Sequence, residues 1–78
     1  MDVTDELNEM LPRMGIKLKD LRLAKKETLR SAAAHVHLSE AILRKIEQGK
    51  YPNLKLNTVG ALADYYHVHF KELISLEE

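Results

Sequence analysis

Residues 33–49, AAHVHLSEAILRKIEQG, constrain the fold of this chain more than any other stretch. They predict two short helices joined by a tight turn. Ser39 suits the N-cap of the second helix, because its hydroxyl can accept from a free backbone N–H of the first turn. Gly49 suits the position after that helix, where a positive φ is needed. Between these caps Leu43, Ile46 and the aliphatic stem of Glu47 fall on one face, and Ala41, Arg44, Lys45 and Gln48 on the other. One face is built for a core, and the other is cationic with few apolar groups to bury.

The segment before the turn is made of small residues, Ser31, Ala32, Ala33 and Ala34. Alanine favours helix on its own, and small side chains also let two helices approach closely. Val36 and Leu38 bracket the turn and can fill the space between the helices. Together with the caps and the apolar spacing, this favours a helix-turn-helix.

On these residues the chain resembles the phage repressor and Cro-like helix-turn-helix family, the Xre family. The matching residues are Leu21 and Arg22 in a first helix, Thr28 before the second and Ala33 within it. Val36, Leu38, Ser39, Leu43, Ile46, Glu47, Gly49 and Lys50 follow at the family's spacing. The segment 67–73, HVHFKEL, resembles its closing turn and last helix. The resemblance covers roughly residues 15–74. It implies an all-α domain of five helices, or six if the amino-terminal arm forms its own. It also implies that Arg22 pairs with Glu47, tying helix one to helix three. Three positions depart from the pattern, as does the loop after Gly49 around Pro52. His37 stands where the family usually has glycine, and it must take positive φ there. Leu29 stands where a glutamine often touches a DNA phosphate. Gly60 lies inside a predicted helix, at a cost of about 1 kcal/mol against alanine.

Seventy-eight residues, 45% of them hydrophobic, allow one small domain with a modest core. The absence of cysteine excludes disulfides and thiolate zinc sites and fits the cytoplasm. The acidic start, MDVTDELNEML, is no signal peptide, and no run reaches membrane-span length. The zero net charge conceals an asymmetry: residues 1–12 carry −4, residues 13–50 carry +6 and residues 51–78 carry −2. A basic centre between acidic ends suits a polyanionic partner, although a solvated lysine-rich face gives the same count.

Along the chain, Val3, Leu7, Met10 and Leu11 predict a short amphipathic helix over residues 2–11, which Pro12 and Gly15 interrupt. Residues 1–14 therefore read as an acidic arm, and residues 15–78 as the helix-turn-helix domain. The first core helix is expected over about residues 15–26, with Ile16, Leu18, Leu21 and Leu23 supplying its apolar side. Thr28 should cap helix two and Asn57 or Thr58 helix four, which turns Val59, Leu62, Ala63 and Tyr66 inward. A last helix should begin near Phe70. Phe70, Leu73, Ile74 and Leu76 exceed what so short a helix needs to bury, which points to a homodimer interface as well as to a core.

The chemistry expected is DNA binding. A helix fits the major groove, and arginine or lysine can donate to guanine, glutamate can accept from cytosine and alanine can touch a thymine methyl. Glu40, Ala41, Arg44, Lys45 and Gln48 are the expected base-reading residues, with Glu40 also favoured by the helix dipole alone. Thr28, Leu29, Arg30, Ser39, Lys50, Tyr51 and Asn53 are the expected phosphate contacts, helped by free N–H groups at the start of helix two. The partner is double-stranded DNA, read as a palindromic operator by a homodimer. The histidines form two His-x-His pairs, His35/His37 and His67/His69, but that spacing does not place both rings on one helix face, so no metal is expected. No phosphate loop or nucleophile motif is present, so neither an enzyme nor a cofactor is expected. The reading is a transcriptional regulator of the repressor type. Its alternative is an antitoxin-type interaction module that holds a protein partner through the acidic arm.

Overall fold

The computed structural model describes residues 3–74, with side chains for residues 10–73. Five helices follow one another: α1 (Val3–Ala24), α2 (Leu29–His35), α3 (Glu40–Glu47), α4 (Leu56–Tyr65) and α5 (Phe70–Ile74). There is no strand among the described residues. α3 packs on α1 and α2, and α5 packs on α1 and α4.

The helix-turn-helix forms as its caps require. Thr28 Oγ1 accepts from the Ser31 N–H, and Ser39 Oγ from the Ile42 N–H, both at 3.1 Å. Ala32 and Ala33 are buried against Leu43 and Ile46, so the small residues do permit a close approach. Helix α2 ends with the Leu38 N–H on the Ala33 carbonyl and the His37 N–H on that of Ala34. That double bond places one residue in the left-handed region, and His37 takes it with φ 59°. The same closure ends α1, α3 and α4, where the left-handed residues are Lys26, Gly49 and His67.

Three features differ from the sequence reading. The expected break at Pro12 and Gly15 is absent, and α1 runs through both as one helix. The reason lies in α3. A Cβ on Gly15 would strike the Glu47 carbonyl and come within 2.7 Å of that of Ile46, and one on Gly49 would lie 2.6 Å from the Pro12 Cα. Both supposed breakers are the points where α1 lies against the end of α3, and this packing outweighs Pro12's helix penalty.

The second difference is the phase of α1. Met14, Gly15, Leu18 and Arg22 form its buried stripe, while Ile16 and Leu23 are 60% and 53% exposed. At the other end, α4 starts earlier than expected. Lys55 is its N-cap, without a side-chain bond, in place of Asn57 or Thr58. Val59, Leu62, Ala63 and Tyr66 are buried, as their spacing predicts.

Candidate nucleic-acid interface

The outward face of α3 carries Ala41, Arg44, Lys45 and Gln48, all exposed, with Glu40 half-buried at its first position. The Glu40 carboxylate is shared. Arg44 Nη2 donates to its Oε2 at 2.7 Å, and Arg30 Nε lies 3.7 Å from its Oε1. Glu40 thus steadies two arginines before it could accept from any base. Such exposed pairs contribute little to stability, so either arginine can leave for a phosphate.

The expected phosphate contacts divide. Arg30, Lys50 and Asn53 are exposed and Leu29 and Tyr51 half-buried, while the hydroxyls of Thr28 and Ser39 are engaged as helix caps. A groove between α1, the start of α2 and the end of α3 gathers Leu29, Arg44, Gln48 and Lys50 with Ile16 and Lys19.

The inner face of α3 is fixed by a buried ion pair. Arg22 Nε donates to Glu47 Oε2 at 2.8 Å and Arg22 Nη2 to Glu47 Oε1 at 3.0 Å. A third donor, Nη1, reaches the Glu27 carbonyl at 3.0 Å. The hydrogen bond to Glu47 raises the Arg22 guanidinium above its ordinary pKa against the opposing effect of burial, so its charge is permanent. A bidentate pair fixes orientation as well as distance, and here it sets how α3 projects from α1. The Tyr66 hydroxyl is buried with no hydrogen-bond partner among the described residues, and burial pushes it up to about 12.

A second polar knot joins the α1–α2 turn to α2 and α4. The Tyr65 hydroxyl donates to the Glu27 carboxylate at 2.6 Å and Ser31 Oγ does so at 2.8 Å. His35 stacks on the Tyr65 ring at 5.2 Å, and Lys25 Nζ lies 4.5 Å from its centre. The hydrogen bond from Tyr65 holds the Glu27 carboxyl below its usual range, while the same bond pushes Tyr65 up to about 12. The stabilisation from Glu27 is therefore present at neutral pH and lost as pH falls through that lowered pKa. Sequence reasoning did not find this knot. The spacing of Glu27, Ser31 and His35, four residues apart each time, is its signal on the α2 side; nothing local announces Tyr65.

Leu73 is 2% exposed and belongs to the core of the single chain, which explains part of the apolar excess near the carboxy terminus without a partner. Phe70 is half-buried against that core. The side chain of Ile74, all of Leu76 and the acidic side chains of the arm lie outside the described residues. Among the described residues, no group of three or more His, Cys, Asp or Glu is placed to hold a metal ion. No helix there is long and apolar enough to cross a membrane.

Neither a curated protein nor a solved structure matches the chain. The helix-turn-helix domain family matches residues 13–74, a span that starts within α1 and runs through α5. Most of the chain lies in that span, and the chain therefore belongs to the helix-turn-helix domain family.

Proposed function

We propose that this protein is a sequence-specific DNA-binding transcriptional regulator of the repressor type, with α3 as its reading helix. The observation that carries the reading is the two-sided character of α3. Its inner face is locked to α1 through Arg22 and Glu47, and its outer face presents Ala41, Arg44, Lys45 and Gln48 to solvent. A reading element needs both a fixed orientation and free hydrogen-bonding groups at the base edges. The basic middle of the chain supplies the field that draws a polyanion, and Arg30, Lys50 and Asn53 flank the helix as phosphate contacts.

In this reading the DNA-binding unit spans residues 15–78, and residues 1–14 are its acidic arm. The protein acts in the cytoplasm as a homodimer on a palindromic operator. Among the described apolar side chains of α5, Phe70 is the one available to a second copy, because Leu73 serves the core of its own chain. A gel shift with the protein's own upstream DNA, at two salt concentrations, tests the function. A discrete complex that survives competitor DNA and weakens at the higher salt is expected. Equal retention of unrelated duplex would remove the sequence-specific part of the proposal.

A further inference from the structure

We propose that the groove between α1 and the end of α3 seats one sugar–phosphate strand of the DNA, with Lys19 of α1 as a phosphate-binding residue. This rests on the DNA-binding reading above and adds a third helix to the interface. Besides Arg22, which is paired with Glu47, three lining residues of the groove are cationic, Lys19, Arg44 and Lys50, and three are apolar, Pro12, Ile16 and Leu29.

The cations come from separate places in the fold: Lys19 from α1, Arg44 from α3 and Lys50 from the loop after it. Lys19 lies three residues before Arg22 on α1, so it shares the face that meets α3. Neither the Lys19 nor the Lys50 side chain has a hydrogen-bond or ion-pair partner among the described residues. The carboxylate that lines the groove, Glu47, is already committed to Arg22, and Glu40 is committed to Arg44. Lys19 and Lys50 therefore bring to the groove positive charge that no described residue pairs.

The apolar half selects among anions. Ile16 is 60% exposed and serves no core contact that would explain it. A free phosphate would leave that surface in water. A nucleic-acid strand alternates phosphate with deoxyribose, and so offers anionic oxygens to the lysines and carbon to Ile16 and Leu29. Phosphate contacts of this kind carry affinity and salt dependence, not base choice.

The test is fluorescence anisotropy of the full chain on a mixed-sequence duplex across a salt series. Lys19→Ala should flatten the slope of log affinity against log salt by about 0.9. Lys19→Arg should keep the wild-type slope. Lys71→Ala, which removes the same charge from α5, should leave it unchanged. Ile16→Ala should lower affinity by one factor at every salt concentration, with the slope intact. A Lys19→Ala slope equal to that of Lys71→Ala, in a protein that binds duplex, overturns the groove and leaves the DNA reading standing. So does a Lys19→Arg slope as flat as that of Lys19→Ala. A wild-type chain that binds no duplex at low salt takes down both.

Discussion

Arg22→Ala is expected to lower the unfolding free energy by about 3–5 kcal/mol, the range for removing one partner of a buried ion pair. The two side chains are 9% and 4% exposed, so water cannot replace what is lost. The substitution strands the Glu47 carboxylate beside α1 and frees the Glu27 carbonyl that Arg22 also held. A domain of this length is stable by roughly 0.05–0.15 kcal/mol per residue, so the loss takes a large share of the total. At about 4–8 °C per kcal/mol for small domains, melting should fall by well over 10 °C. The double variant Arg22→Met with Glu47→Leu should regain much of this, because an apolar replacement leaves no unpaired charge. Urea titration followed by circular dichroism measures both. A single-variant loss below about 1 kcal/mol would mean that the pair is wetter than its geometry indicates.

Gly15→Val should act on the same junction from the other side. Its Cβ would meet two backbone carbonyls of α3, at Ile46 and Glu47, and backbone cannot turn aside as a side chain can. The helices must part, at a cost of about 1–3 kcal/mol or more. Gly60→Ala is the matched control. A Cβ at Gly60 meets nothing within 4 Å, so alanine should stabilise α4 by about 1 kcal/mol through helix propensity alone. The two glycines should thus shift the melting temperature in opposite directions, and shifts of the same sign would contradict the close approach of α1 to α3. Because the collision displaces the end of α3, Gly15→Val should also weaken DNA binding, whereas Gly60→Ala should not.

The contrast between these glycines shows what a sequence can and cannot reveal. The helix-turn-helix was readable because its signals are local: Thr28 and Ser39 cap within three residues, and Leu43 and Ile46 repeat at helical spacing. Pro12 and Gly15 misled because the same residues that break an isolated helix also make room for a neighbour, and only the position of α3 decides between those roles. The phase of α1 was missed for a related reason. Its buried stripe contains Gly15 and Arg22, and hydrophobicity alone passes over both in favour of Ile16 and Leu23. His37 was legible as a left-handed residue through its place in the motif, but Lys26 and His67 adopt the same backbone with no marking in their side chains. On the interface, the exposed face of α3 follows from helical periodicity. The groove containing Lys19 does not, since it exists only where α1 and α3 meet.

The central claim is that α3 chooses the bases. Anisotropy titration of a specific and a scrambled duplex with Arg44→Ala and Lys45→Ala tests it most directly. One or both variants should lose roughly 1–3 kcal/mol on the specific site and much less on the scrambled one, so that the affinity ratio falls. If both leave the specific-to-scrambled ratio unchanged, α3 is not the reading helix and the central claim is wrong.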